Sequence, residues 1–167
     1  TSIASGENIR HVANLVANYI GQGYRIVTVV SALKGITDKL IESAEQAKKG
    51  NRDYISEFKL KLLKIHLTTT RKAIENKGIQ EEIERILKTT IDELEKVLMG
   101  VIYVGELTPK SRDYVLSFGE RLSTPIIWGT LRDLKLTAQY FTGGEIGILT
   151  DSNFGEARPL MNVTKHQ

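Results

Sequence analysis

Ile9, Val12, Ala13, Val16 and Ile20 recur at the three- and four-residue steps that line one face of a helix. The spacing predicts a helix over residues 5–21, with Ser5 as N-cap, Glu7 at the positive end of the helix dipole and Gly21-Gln22-Gly23 as its stop. The period then changes. Residues 25–30 (RIVTVV) are apolar or β-branched at nearly every position, as in a strand covered on both faces. A helix, a glycine turn and a buried strand together predict an α/β domain with a mostly parallel sheet.

A helix over about 38–49 follows, and two long amphipathic patterns fill 51–77 and 79–97, with Gly78 between them. Ile79, Ile83, Leu87, Ile91, Leu94 and Leu98 form one stripe; Glu81 with Arg85, Glu84 with Lys88 and Asp92 with Lys96 are pairs four residues apart on the other face. This pattern reads as a helical hairpin attached to the sheet domain, its charges lying on solvated faces. Thr108 and Pro109 then form an N-cap and N1 pair for a helix carrying Tyr114, Phe118 and Leu122 on one face. Gly119 and Glu120 interrupt that apolar run, and Pro125 removes a hydrogen bond to the carbonyl of Arg121. The helix should therefore kink or break between Gly119 and Pro125, leaving Glu120 at the bend. Taken alone, Gly119 reads either as a packing concession beside two surface charges or as a gap through which a ligand reaches the backbone. Further on, turn-forming residues 143–145 and 150–155 flank a short strand at 146–149.

Composition narrows the function classes. With 167 residues, 41% of them hydrophobic, the chain can bury the core of one domain without disulfides. The absence of cysteine excludes a thiolate metal site and fits a reducing compartment. His11, His66 and His166 are scattered, which argues against a histidine-built zinc site. The net charge of +3 is well mixed along the chain, so no nucleic-acid footprint is read. No apolar run approaches the ~20 residues that cross a bilayer, and the start lacks a secretory pattern, so a cytoplasmic protein is expected. Because the chain starts at Thr1 rather than Met, residues are expected in front of it.

The candidate chemistry lies at 31–37 (SALKGIT), where Ser31, Thr37, Lys34 and a glycine turn stand between the predicted strand and a helix N-terminus. Crevices at the carboxyl ends of strands bind ligands, and this one would suit small anions. The competing reading has Thr37 as a helix cap and Ser31 as a strand-end partner. Neither GxxxxGKS/T nor GxGxxG occurs.

Thr1-Ser2, SALKGIT at 31–37, GELTPKSRDYVLSFGERLSTPI at 105–126 and GGEIGILTDSNFGEAR at 143–158 together resemble the N-terminal part of an aspartate kinase of the amino-acid kinase superfamily, in order and in spacing. The resemblance implies a sandwich with a mostly parallel sheet between helices, and a chain that is a partial kinase domain over 1–167 with a helical insertion at about 51–99. A first strand ending in a Lys-Phe-Gly-Gly phosphate loop, the nucleotide-binding half and the regulatory ACT domains would lie outside it. Implied substrate contacts are Ser31 and Thr37 with the substrate carboxylates and Glu120 with its α-ammonium; Thr1, Ser2, Gly119 and Arg121 are further candidates, and Lys34 receives no role. The implied reaction is phosphoryl transfer from ATP, with Mg²⁺, to the β-carboxylate of L-aspartate, on the way to lysine, threonine and methionine. This portion alone would be inactive, with no catalytic or metal-binding residue of its own, and the family is commonly homodimeric. A glutamate or N-acetylglutamate kinase lacks the long insertion; a non-catalytic partner-binding domain would use the hairpin as its surface.

Overall fold

A serine hydroxyl opens the first helix. In the computed structural model, which describes residues 5–164, α1 (Gly6–Gly21) begins where Ser5 Oγ accepts the Asn8 N–H at 3.3 Å. It is followed by α2 (Ile36–Lys48), α3 (Arg52–Ala73), α4 (Lys77–Val104), α5 (Pro109–Asp133) and the short α6 (Met161–Thr164). α5 starts as its sequence predicts, with Thr108 Oγ1 accepting the Ser111 N–H at 3.1 Å and Pro109 in the first turn. It packs against α1, α2, α3 and α4 alike, which makes it the central rod of the helical assembly. Val115, Phe118, Leu122 and Ile126 are its buried stripe, and Ile83, Leu87, Ile91, Leu94 and Leu98 of α4 are buried as the periodicity requires.

The expected α/β sandwich with a parallel sheet is not there. Among the described residues there is no β-strand, and the one β-bridge is an isolated pair, Thr150 with Pro159. Residues 25–30 form neither helix nor strand, and Val27 and Val29 are 92% and 93% exposed. The physical reason is that a strand is completed by a neighbour: β-branched composition favours the conformation, but ladder bonds need a second segment. No described segment pairs with 25–30, so an apolar run that reads as buried is bare. The predicted strand at 146–149 is likewise replaced by turns, with the Gly147 N–H donating to the Gly144 carbonyl at 3.0 Å and the Ile148 N–H to that of Gly143 at 2.8 Å.

Two local expectations also change. The break between α3 and α4 falls at 74–76 rather than at Gly78, because Asn76 is the N-cap that accepts the Ile79 N–H at 3.1 Å and Gly78 lies in the first turn of α4. α5 runs through Pro125 without a break. A buried proline costs a helix about 3 kcal/mol locally, but burial of the stripe on both sides of it outweighs that.

The charged face of α4 is mostly exposed as expected, with Glu81, Arg85, Lys88, Asp92 and Lys96 open to solvent, but the ion pairs found do not run along that helix. They reach to other helices: Lys59 lies 2.7 Å from both Asp92 and Glu95, Arg71 2.7 Å from Glu84, and Arg132 2.8 Å from Glu82. Being partly exposed, each such pair contributes at most about 1 kcal/mol, so they set register more than stability.

Of the three histidines, His11 is exposed and His166 lies outside the described residues, as do Thr1 and Ser2, whereas His66 is fully buried in α3. Its Nδ1 is 2.8 Å from the Leu62 carbonyl, which can only accept, so Nδ1 carries the proton; Nε2 is buried with no partner. Burial pushes the imidazole pKa below its ordinary 6.5, against the opposing pull of the Leu62 hydrogen bond. The folded state therefore favours neutral His66: the associated stability is complete above about pH 6.5 and is lost as the pH falls below it. Thermal melting at about pH 7 and about pH 5 should show a drop in the native chain that His66→Gln reduces; equal drops would clear His66 of the effect.

Candidate functional site

α5 and the turn that precedes α2 meet at Gly119. A Cβ built on Gly119 would lie 2.7 Å from Ala32 Cβ and 3.6 Å from Leu40 Cδ1. The glycine thus admits the loop backbone, and the space read as a ligand's approach is filled by Ala32. Next to it, Glu120 Oε1 accepts the Ala32 N–H at 3.0 Å, and Ser123 Oγ donates to the Ser31 carbonyl at 2.8 Å. Glu120 is an exposed residue in the middle of α5, which continues past it without a break.

Ser31, in this turn, and Thr37, in the first turn of α2, are exposed as well. The α2 N-cap is Gly35, in the left-handed region at φ 75°, and no side chain caps the helix, so Thr37 is not spent on capping. Lys34, Asp38 and Lys39 are exposed around them. The 31–37 segment thus exposes the Ser31 and Thr37 hydroxyls, and α5 exposes the Glu120 carboxylate that holds its Ala32 N–H.

Arg121 faces elsewhere. It pairs with Glu93 of α4 at 2.5 Å, and its guanidinium lies 4.2 Å from the centre of the Phe118 ring. Glu93 also accepts the Tyr114 hydroxyl at 2.6 Å, and the hydrogen bonds from Arg121 and Tyr114 hold its carboxyl below the usual range. Arg121 ties α5 to α4 and does not join the loop cluster.

The segment 150–158 docks on the first turns of α5. Asp113 Oδ2 accepts the Gly155 N–H at 2.6 Å, and the Lys110 ammonium lies 5.8 Å from the Phe154 ring centre. Seven residues separate Asp113 from Glu120, about 10 Å along the helix. An open cleft of about 470 Å³ lies there, lined by Glu45, Lys48, Arg112, Asp113, Phe154 and Glu156 among others. Among the described residues, no three His, Cys, Asp or Glu side chains come together as a metal-binding group, and no helix is long and apolar enough to cross a membrane.

Sequence reasoning missed Ser123. Its place three residues after Glu120 and four after Gly119 puts it near them on the helix, but its partner lies 92 residues away.

Residues 1–166 match the family described as the amino acid kinase family. Among curated proteins, the chain is 33% identical over 161 residues to Aspartokinase 3, chloroplastic, of Arabidopsis thaliana, an alignment covering 94% of the chain and 27% of the relative. Among solved structures, it superposes on E. coli aspartokinase III in complex with lysine and aspartate (T-state) with a TM-score of 0.82 at 22% identity, covering 99% of this chain and 34% of that one. The same enzyme in complex with aspartate and ADP (R-state) gives a TM-score of 0.76 at 26% identity, with 100% and 35% covered. The chain spans about a quarter of the length of the curated relative and about a third of the solved chains. On the match over residues 1–166, the chain belongs to the amino acid kinase family.

Proposed function

We propose that this chain forms the aspartate-binding part of an aspartate kinase, which transfers the γ-phosphoryl group of ATP to the β-carboxylate of L-aspartate. The observation that carries the reading is the turn at 31–37 held on α5: it brings Ser31 and Ala32 onto Glu120 and Ser123, in a chain similar to aspartokinases over 94% of its length. Glu120 takes the substrate α-ammonium while Oε1 holds the Ala32 N–H, and the Ser31 and Thr37 hydroxyls donate to the substrate carboxylates.

The chemistry needs little more from these residues. A carboxylate with a pKa near ~4 is ionised at neutral pH, so no general base is required. One β-carboxylate oxygen forms a bond to the γ-phosphorus as the bond from that phosphorus to the ADP oxygen breaks; the products are β-aspartyl phosphate and ADP. Ser31, Thr37 and Glu120 contribute by holding the acceptor in line, which lowers the entropic part of the barrier. Among the described residues no three His, Cys, Asp or Glu side chains come together as a metal-binding group, so no step is assigned to Mg²⁺ on them. Residues 1–167 alone are accordingly expected to leave ATP and aspartate unreacted.

The test is ADP formation by the complete gene product with L-aspartate, L-glutamate or N-acetylglutamate as acceptor, with the acyl phosphate trapped by hydroxylamine. Aspartate-dependent ADP and hydroxamate are expected. Turnover with glutamate or N-acetylglutamate instead, or with none of the three, would refute the assignment.

A further inference from the structure

The two hydrogen bonds from α5 to the 31–35 turn end on one and the same peptide unit. The Ser31 carbonyl accepts from Ser123 Oγ at 2.8 Å, and the Ala32 N–H donates to Glu120 Oε1 at 3.0 Å. A peptide group is a rigid plane whose C=O and N–H point in opposite directions, so holding both edges fixes the orientation of the plane. That orientation sets ψ of Ser31 and φ of Ala32, and through them the direction in which the Ser31 hydroxyl leaves the loop. Gly119 makes the grip close, because a side chain there would strike Ala32. Ser123 itself is completely buried, and its hydroxyl is also 3.3 Å from the Glu120 carbonyl. A buried hydroxyl that reaches across 92 residues of sequence to one backbone carbonyl is tied to that carbonyl's position.

We infer that Ser123 is a positioning residue for the amino-acid substrate, acting through the Ser31–Ala32 peptide to aim the Ser31 hydroxyl and to hold Glu120 in register with it. The inference rests on the reading of Ser31 and Glu120 as substrate contacts. Without the Ser123 hydroxyl the peptide plane is held at one edge only and can rotate, withdrawing the Ala32 N–H from Glu120 and turning Ser31 together with it. Both substrate contacts would loosen at once.

The experiment compares Ser123→Ala, Ser123→Cys and Glu120→Gln in the complete enzyme, measuring KM for aspartate and for ATP separately. Cysteine fills the buried site with a slightly larger thiol that is a weaker donor, so it carries the test if the alanine variant fails to fold. Expected is a rise of about tenfold in KM for aspartate in the serine variants, with KM for ATP changed by less than about twofold. A combined Ser123→Ala, Glu120→Ala enzyme should lose less than the product of the two separate losses, because each change removes a hold on the same peptide. If Glu120→Gln raises KM for aspartate while the folded serine variants do not, Ser123 is only a packing residue and the inference fails. If Glu120→Gln itself leaves KM unchanged, the reading of the site fails and takes the inference with it. Equal rises in both KM values would also overturn it, as the signature of general destabilisation.

Discussion

Asp133→Ala will destabilise the folded chain by about 3 kcal/mol, the largest loss expected from any single polar side chain here. Asp133 ends α5, where the negative pole of the helix dipole disfavours a carboxylate, yet its side chain is only 5% exposed. Its placement follows from its donors: Oδ1 accepts the Asn76 N–H at 3.0 Å, and Oδ2 accepts the Glu75 N–H at 3.0 Å and an ion pair from Arg10. Arg10 in turn donates to the Ala73 carbonyl at 3.2 Å and pairs with Glu75 at 3.1 Å. One carboxylate thus joins α1, the α3–α4 connection and the end of α5, and truncating it removes the acceptor of two backbone N–H groups and leaves Arg10 with only Glu75 and the Ala73 carbonyl. Burial alone would raise the Asp133 pKa, but the hydrogen bonds from Glu75, Arg10 and Asn76 outweigh it and hold the carboxyl below its ordinary 3.8. Because the folded pKa lies under the unfolded one, this stability is present above about pH 3.8 and is lost as the pH falls through the range below it. Urea unfolding at about pH 7 should show the deficit for Asp133→Ala, and Asp133→Asn should lose stability at neutral pH while weakening the acid dependence. A loss under about 1 kcal/mol for the alanine variant would mean that water or a rearranged Arg10 replaces the carboxylate.

Local capping chemistry was legible in the sequence and long-range pairing was not. Ser5, Thr108 and Pro109 act within three or four residues of themselves, so propensity alone places them, and the apolar stripe of α4 is buried wherever the helix lands. The run at 25–30 has the same kind of signal, but a strand is a property of two segments, and the composition of one says nothing about where its partner lies. Charges misled for a related reason: Glu84 and Asp92 can bond along α4 at four-residue spacing or across to Arg71 and Lys59, and only the helix packing decides. At the site, Glu120 stood out as a carboxylate in an apolar run, whereas Ser31 and Thr37 read equally as a strand-end partner and a helix cap and were singled out by the family resemblance. Ser123 did not stand out, since a serine in a helix is ordinary until its partner 92 residues away is known. Gly119 was legible as an anomaly; that Ala32 fills the space belongs to the tertiary structure.

Glu120→Ala should lower kcat/KM for aspartate in the complete enzyme by about 30- to 150-fold, or 2 to 3 kcal/mol, the loss of a charge-assisted bond to an ammonium. The alanine variant removes two things together, the charge offered to the substrate and the acceptor for the Ala32 N–H at 3.0 Å. Glu120→Gln separates them. Its amide oxygen can still accept from Ala32, so the turn stays on α5, while the negative charge is gone. If Glu120 serves the ammonium, the glutamine enzyme loses nearly as much as the alanine enzyme, and the loss falls on aspartate rather than ATP. If Glu120 serves only to hold the turn, glutamine restores close to full activity and the substrate reading of this carboxylate is withdrawn. The exposure of the residue favours the first outcome, because a side chain needed only as a loop anchor gains from burial, which strengthens its hydrogen bond, and Glu120 instead stays open to solvent beside Ser31.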